Sequence, residues 1–253
     1  MQPRLKDKVI VVAGAGGIGN GLARRYASEG AAVVLGDLDA DMAREVASEI
    51  VAGGGNAVGT ELDGADESSV AAIVDLAVSR FGGLDGFHAN FAGFAEGDGA
   101  DVLDIPMADW DKVMRINARG FVLCTRAAIP EMRKRGGGSI VFTSSDAAYS
   151  GEAVRVAYAM SKASLLALMR HIAKRFGYEG IRANVISPGV ISHDRFEAVM
   201  TPEMIESFAA SIPVGHLGRP EDIAAMGALL MSDEGRFVTG QTISVNGGNL
   251  MRP

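Results

Sequence analysis

One cysteine, Cys124, stands in 253 residues, so no intramolecular disulfide can form. A lone thiol fits a reducing compartment. The four histidines are scattered and cluster with no cysteine, which excludes a structural zinc site, and no metal is expected. No stretch of about 18 uninterrupted apolar residues occurs, so no membrane span is expected. The start, Met1-Gln2-Pro3-Arg4-Leu5-Lys6-Asp7, is polar and lacks the apolar core of a signal peptide. Together these absences lead us to expect a soluble cytoplasmic protein. Proline is sparse, at 8 residues, and no Pro/Ser-rich linker, internal repeat or low-complexity segment divides the chain. Positive charge is in deficit: the formal net charge is −7 and the pI is near 5.2. That balance argues against nucleic acid or an anionic membrane as partner. The basic run Arg133-Lys134-Arg135 sits at a helix end before Gly136-Gly137-Gly138, where cations complement the helix dipole.

What is abundant is glycine, at 33 residues, gathered at segment ends. Such placement implies many tight strand–helix turns. Short apolar runs at 9–12, 32–35, 57–60, 86–89, 139–143, 182–186 and 242–245 read as strands. Near-continuous apolar strands are expected of a parallel sheet covered on both faces. Helical periodicity occupies roughly 18–29, 40–52, 66–81, 107–135, 156–177 and 220–232, with Asp66 and Pro220-Glu221-Asp222 as helix starts. This alternation predicts an α/β fold, a doubly wound parallel sheet with helices on both faces, in one domain over 1–253. About 1–150 would form its cofactor-binding part, and about 140–253 its catalytic part with a substrate flap.

The first strand runs into Gly14-Ala15-Gly16-Gly17-Ile18-Gly19 and then a helix. Glycines permit a tight turn, and free amides at a helix start hold a pyrophosphate. The pattern G-x-G-x-x-G is met by Gly14, Gly16 and Gly19 in the strand-to-helix context that gives it meaning. Asp37, 23 residues beyond Gly14, ends the second strand. A carboxylate there accepts hydrogen bonds from an adenosine ribose and repels a 2′-phosphate. It also has a plainer reading, as a cap or turn residue beside Asp39 and Asp41. No Arg or Lys follows it closely, which favours NAD over NADP. Later, Tyr158 and Lys162 stand one helical turn apart, on one face. A free phenol has a pKa of about 10, and a nearby ammonium is expected to lower it toward the range of acid–base catalysis.

Taken together, these residues resemble the short-chain dehydrogenase/reductase family, over nearly the whole chain. Ser145, 13 residues before Tyr158, matches the family's serine, and Met114-Arg115-Ile116-Asn117-Ala118-Arg119-Gly120 is similar to its asparagine segment. Ser187-Pro188-Gly189-Val190-Ile191, Gly218-Arg219-Pro220-Glu221-Asp222-Ile223 and Val238-Thr239-Gly240-Gln241 with Val245-Asn246-Gly247-Gly248 complete the series. There are departures. Gly14 and Gly17 enclose two residues where the family has three, Ala13 replaces a threonine, and His193 stands where a threonine is common. The Asn-Asn-Ala-Gly stretch appears around Asn90, as Ala89-Asn90-Phe91-Ala92 or, with one insertion, as Asn90-Phe91-Ala92-Gly93.

The resemblance implies a Rossmann fold and an NAD(H)-dependent oxidoreductase interconverting a secondary alcohol and a ketone. Its catalytic residues would be Asn117, Ser145, Tyr158 and Lys162. The cofactor site would draw on Gly14, Gly16, Gly17, Ile18, Gly19, Asp37, Leu38, Leu62, Asp63, Asn90, Ala92, Tyr158, Lys162, Pro188, Gly189, Ile191 and His193. Tyr158 would be the acid–base, Lys162 would lower its pKa and hold the nicotinamide ribose, Ser145 would bond the reacting oxygen, and Asn117 would support Lys162 through water. Two alternatives stand beside this: an NADP(H)-dependent 3-oxoacyl-thioester reductase, and a catalytically silent dinucleotide-sensing protein. The flap at 191–213 carries Phe196, Val199, Met200, Met204, Ile205 and Phe208 at the spacing of one helical face; with Met160, Phe91 and Phe94 they favour an apolar small-molecule substrate. The two long helices carry Val113, Ile116, Phe121, Val122, Leu123, Ile129 and Leu165, Leu166, Leu168, Met169, Ile172, Phe176. One face of each covers the sheet, which leaves a second apolar face needing a partner; the resemblance implies that these helices pair across a two-fold axis and that the C-terminal strand region makes a second interface, giving a homotetramer, with a dimer as fallback.

Overall fold

The computed structural model describes residues 3–252; Met1 and Gln2, the first residues of the polar start, lie outside them. All seven expected strands are present: β1 Val9–Ala13, β2 Ala32–Asp37, β3 Asn56–Glu61, β4 Gly86–Ala89, β5 Gly138–Thr143, β6 Ile181–Pro188 and β7 Thr242–Val245. They form one sheet in the order β3-β2-β1-β4-β5-β6-β7, every pairing parallel. Successive side chains of β1 enter opposite faces. Val9, Val11 and Ala13 join the core under α3 (Glu67–Phe81), α5 (Gly120–Lys134) and α7 (Val156–Phe176). Ile10 and Val12 join the core under α1 (Ile18–Ser28), α2 (Ala40–Ala52) and α10 (Pro220–Met231). Burial on both faces is why these strands read as unbroken apolar runs.

Helix starts follow local chemistry. Asp39 caps α2 by accepting from Met42 N at 3.0 Å, and Asp66 caps α3 by accepting from Ser69 N at 2.7 Å. Pro220 opens α10, with Arg219 N donating to Asp222 Oδ2 at 2.7 Å. Because β1 lies between β2 and β4, the chain leaves β1 and β4 toward opposite sides of the sheet. A crevice opens beyond their carboxyl ends, where ligands bind in such sheets.

Two helical expectations need correction. The stretch 107–135 is two α-helices, α4 (Met107–Met114) and α5, joined by a π-helical turn over Arg115–Arg119. The wider turn changes the hydrogen-bond register around Asn117, which periodicity alone does not report. The flap is not one helical face either. It holds a short α8 (Asp194–Glu197) and a separate α9 (Pro202–Ser211). Pro202 cannot continue a helix from 201, and Thr201 caps the new one by accepting from Met204 N. Val199, Met204 and Phe208 are exposed. A further short helix, α6 (Ala147–Ser150), has no counterpart in the sequence pattern. The spare apolar faces are narrower than expected too. Val113, Phe121, Leu123, Ile129, Leu165, Leu166, Met169 and Ile172 are buried within the chain, while Val122 is exposed and Ile116, Leu168 and Phe176 are half-buried.

A polar chain crosses the core between the two sides of the sheet. Tyr26 Oη on α1 lies 2.7 Å from His88 Nδ1 on β4, and His88 Nε2 lies 3.0 Å from Thr143 Oγ1 on β5. Tyr26 and His88 are fully buried. Desolvation drops the His88 pKa to about 3, so the ring is neutral, and burial pushes the Tyr26 phenol well up. A neutral imidazole offers one donor and one acceptor, and each hydroxyl can take the complementary role. His88→Val would strand both hydroxyls, and we expect it to lower unfolding free energy by roughly 2 kcal/mol in urea titrations at pH 7. Adding Tyr26→Phe should recover part of that loss. The unfolded imidazole, near 6.5, takes up a proton before the folded one at about 3. His88 therefore contributes stability above pH 6.5 that is lost as pH falls toward 3, on the order of 5 kcal/mol. The double variant should flatten that acid limb.

Candidate active site

The glycine turn is built by close approach. Gly14 has φ +103°, and a Cβ on it would come within 2.8 Å of Phe91 N; one on Gly19 would come within 1.7 Å of Gly14 O. No other residue fits at either place. Gly17, the N-cap of α1, supplies no side-chain cap, so no side chain covers the start of α1, where Gly19 N donates to Gly16 O at 3.1 Å and the neighbouring amides face an anion site. The turn, two residues between glycines, is held from β2: Asp37 Oδ2 accepts from Ala15 N at 2.7 Å and Gly16 N at 3.3 Å, while Oδ1 accepts from Asp39 N at 3.0 Å. Asp37 is thus also a clamp on the turn. Its carboxylate has about four acceptor positions, so it keeps one for a ribose hydroxyl. From β4, Asn90 N donates to Ala13 O at 2.8 Å and its Nδ2 to Gly14 O at 3.3 Å. Asn90 Oδ1 is buried without a hydrogen-bond partner among the described residues.

A cleft of about 770 Å³ runs from this turn to the ends of β5 and β6. It brings together Gly14, Gly16, Gly17, Ile18, Asp37, Leu38, Leu62, Asp63, Asn90, Ala92, Ser145, Tyr158, Lys162, Pro188, Gly189, Ile191 and His193. Two expected site residues do not line it. Gly19 is pressed against Gly14 beneath the turn, and Asn117 is buried behind the wall. Phe91, Gly93, Phe94, Ile116, Thr143 and Ser144 line it as well. Among the lining residues Lys162 is the one lysine or arginine. The helix start left uncapped by any side chain, the two enforced glycines, the orphaned Asn90 oxygen and the Asp37 carboxylate together fit a dinucleotide without a 2′-phosphate. A larger hollow of about 1200 Å³ lies behind the turn between α1, α2 and α9, bordered by Glu45, Glu49, Glu197 and Asp222. It holds none of the tyrosine–lysine–serine chemistry, so the smaller cleft is the site.

At the far end of the cleft the tyrosine and lysine rise from α7. Lys162 is buried and its Nζ donates to Thr143 O at 3.0 Å. Burial lowers its pKa to about 7. The Tyr158 ring centroid is 5.8 Å from that Nζ. Ser145 stands beside the Tyr158 phenol and favours its ionised form, and its Oγ accepts from Ala147 N at 3.2 Å. The expectation that Lys162 lowers the phenol pKa is not met: Lys162 is not among the groups that shift it. Burial pushes the Tyr158 phenol up; the Ser145 hydrogen bond and the Arg155 charge pull it part of the way back. Lys162, titrating near neutrality, adds no permanent charge beside it. Asn117 makes direct contacts of its own. Its Oδ1 accepts from Gly93 N at 2.7 Å and its Nδ2 donates to Gly93 O at 2.9 Å. That amide fastens the π-turn to the loop after β4, and the direct partner of Lys162 is Thr143.

Phe94 stacks on Tyr158, centroids 5.3 Å apart, and is itself exposed. Of the other residues read as an apolar substrate surface, Phe91 packs against Phe121 in the core, while Met160 and the flap residues named above, Ile205 included, do not line the cleft. Arg155 and Asp98 beside Tyr158 had no signal in the sequence. Asp98 lies 60 residues away, and the backbone conformation of Arg155, φ +60°, is not written in an arginine.

Comparison with known proteins agrees with this geometry. The profile described as enoyl-(acyl carrier protein) reductase matches residues 12–249. The chain is 37% identical over 248 residues to the 7alpha-hydroxysteroid dehydrogenase of Escherichia coli (strain K12), covering 98% of this chain and 96% of that protein. It is 36% identical over 249 residues to the 2,5-dichloro-2,5-cyclohexadiene-1,4-diol dehydrogenase of Sphingobium indicum, covering 98% of each. A solved structure of 7 alpha-hydroxysteroid dehydrogenase, complexed with NADH and 7-oxo glycochenodeoxycholic acid, superposes with a TM-score of 0.91 at 36% identity, over 99% of this chain and 97% of that one. The chain belongs to the short-chain dehydrogenase/reductase family of oxidoreductases.

Proposed function

We propose that this enzyme interconverts a secondary alcohol on an alicyclic ring and the corresponding ketone with NAD(H), with Tyr158 as its acid–base. The observation that carries this reading is the Tyr158 phenol beside Ser145 in the cleft wall, one turn from a buried Lys162. Gly16, Gly17, Ile18 and Asn90 would hold the pyrophosphate and its flanks, Asp37 and Leu38 the adenosine, and Lys162, Pro188, Gly189, Ile191 and His193 the nicotinamide half. The bound cofactor supplies or accepts the hydride. In oxidation Tyr158 takes the alcohol proton, and in reduction it returns it. Ser145 donates to the substrate oxygen as charge grows there, an electrostatic contribution of the oxyanion-hole kind. Lys162, fixed by Thr143 O, orients the ribose and relays protons near pH 7. Asn117 fixes the wall beside it. The chain divides functionally near residue 150 into cofactor and catalytic parts.

The ring-shaped substrate is supported by two things. The relatives are named for a steroid and a cyclohexadienediol, and Phe94 offers an exposed aromatic face over the phenol. The lack of arginine or of a second lysine along the cleft supports NAD over NADP. The homotetramer is supported by β7, an edge strand half-buried along its length, with exposed Phe237 before it and Val122 on α5. A buried free thiol, Cys124, supports the cytoplasm. Among the described residues no helix is long and apolar enough to cross a membrane.

Tyr158→Phe keeps the ring and removes the proton. We expect turnover to fall by several orders of magnitude with NADH affinity nearly intact; retained turnover refutes the assignment. Because the phenol is held up, alcohol oxidation should accelerate as pH rises through the alkaline range, whereas ketone reduction, which uses the protonated phenol, should persist at neutral pH. Fluorescence titration with both reduced cofactors should give tighter binding of NADH than of NADPH. Light scattering at micromolar concentration should report a tetramer, and a stable, active monomer would refute the assembly.

A further inference from the structure

Arg155 has a backbone that arginine rarely adopts. It is the N-cap of α7, in the left-handed region at φ +60° and ψ +39°, and it makes no side-chain cap. Observed strain of this kind is a pointer to function. It has a visible consequence. Arg155 stands three residues before Tyr158, and its guanidinium lies 5.3 Å from the Tyr158 ring centroid. The side chain is steadied by Glu152, whose Oε2 accepts from Nη2 at 2.9 Å, and Glu152 Oε1 in turn accepts from Ser150 Oγ at 3.1 Å. None of these three residues lines the cofactor cleft. The arrangement therefore addresses the tyrosine and not the cofactor.

We propose that Arg155 is a positioning residue for Tyr158, holding the phenol ring in place and supplying the permanent positive charge that favours its ionised form. The proposal rests on Tyr158 being the acid–base. Guanidinium cannot lose its proton in the working range, and it is attracted to an aromatic face. Lys162, the other cation on this ring, is 5.8 Å away and titrates near pH 7, so its charge fades where an alcohol dehydrogenase must deprotonate substrate. The groups facing the phenol are few. From α7 come Arg155 and Lys162, and from the end of β5 comes the Ser145 hydroxyl. Glu152, before α7, and Asp98, from the loop after β4, contribute negative charge. Asp98 is buried, faces the Tyr158 backbone N–H, and is itself held above the usual carboxylate range by desolvation, with Asp109 of α4 adding to the rise. Arg155 also draws Asp98 toward its ionised form. One cation thus balances two acids around the reacting phenol.

The test reads the phenol itself. PH-jump ultraviolet absorbance of tyrosinate, taken as wild type minus Tyr158→Phe, isolates Tyr158 from Tyr26, Tyr149 and Tyr178. Arg155→Met keeps the stem and removes the charge, and Arg155→Gly removes it while relieving the left-handed backbone. We expect both to raise the Tyr158 titration by about one pH unit, and to carry the pH limb of kcat/KM for alcohol oxidation up with it, without weakening NADH binding. Arg155→Lys should restore most of the shift. Glu152→Gln breaks the same ion pair but leaves the guanidinium, so it should not raise the titration. If neither Arg155→Met nor Arg155→Gly moves the titration, or if Glu152→Gln raises it equally, Arg155 is only a tether and the proposal fails. The phenol is read whether or not turnover depends on it, so full activity in Tyr158→Phe would instead refute the role of Tyr158.

Discussion

A buried ammonium must be solvated by the protein, and the active site is arranged around that requirement. Lys162 Nζ sits beneath the surface with Thr143 O as its acceptor at 3.0 Å. Thr143 is the last residue of β5, so the end of a central strand fixes where the lysine points. The threonine hydroxyl is in turn met by His88 on β4, and His88 by Tyr26 on α1. A helix, two strands and a second helix on the other side of the sheet are thereby tied to one nitrogen. Leaving any of these polar groups unpaired in the core would cost far more than the pairing gains, which is what makes the arrangement rigid. Phe121, whose ring centroid is 5.2 Å from the same nitrogen, closes the remaining side with an aromatic face.

The cofactor end is preorganised by similar means. Asp37 reaches from the end of β2 to the amides of Ala15 and Gly16, and Asn90 reaches from the end of β4 to Gly14 O. The strands on either side of β1 thus hold the turn that β1 feeds. This follows from the strand order, which puts the ends of β2 and β4 next to the end of β1. The shorter turn between Gly14 and Gly17 still leaves the start of α1 uncapped by any side chain and open to an anion. His193 takes the space over Gly17, its ring about 3 Å from where a Cβ would be. The flap is therefore in contact with the turn.

Catalytic proton transfer sits between these fixed ends. Tyr158 feels burial upward and Ser145 and Arg155 downward, with acids at Glu152 and Asp98 working against the cation. The phenol is therefore poised by opposing neighbours, none of which is Lys162. Asn117 contributes at a distance, by pinning the π-turn between α4 and α5 to Gly93. The loop after β4, which carries Phe94 and Asp98 to Tyr158, is anchored by that pair.

Much of this was legible in the sequence, for identifiable reasons. Apolar runs such as Val9–Ala13 and Gly86–Ala89 need burial on both faces, and only a covered parallel sheet supplies it. Asp66 and Pro220 mark helix starts because capping and proline chemistry act within three residues. Glycines at 14 and 19 and the Tyr158–Lys162 spacing are likewise local signals, and they lead to the cleft itself. The rest depended on groups far apart in the chain. Periodicity ran 107–135 together as one helix because a π-turn preserves helical patterning while Gly93, from another loop, holds its side chain. The flap broke at Pro202. Most of the apolar residues of α5 and α7 pack inside the chain, which leaves a narrower second face than their number suggests. The charge on Lys162, the pull of Arg155 on Tyr158 and the placing of Asp98 come from desolvation and through-space fields, which no sequence spacing encodes. The sequence by itself determined the strands, their covered faces and the chemical groups; only the tertiary structure decided which of those groups are dry, which are paired, and what each therefore does with a proton.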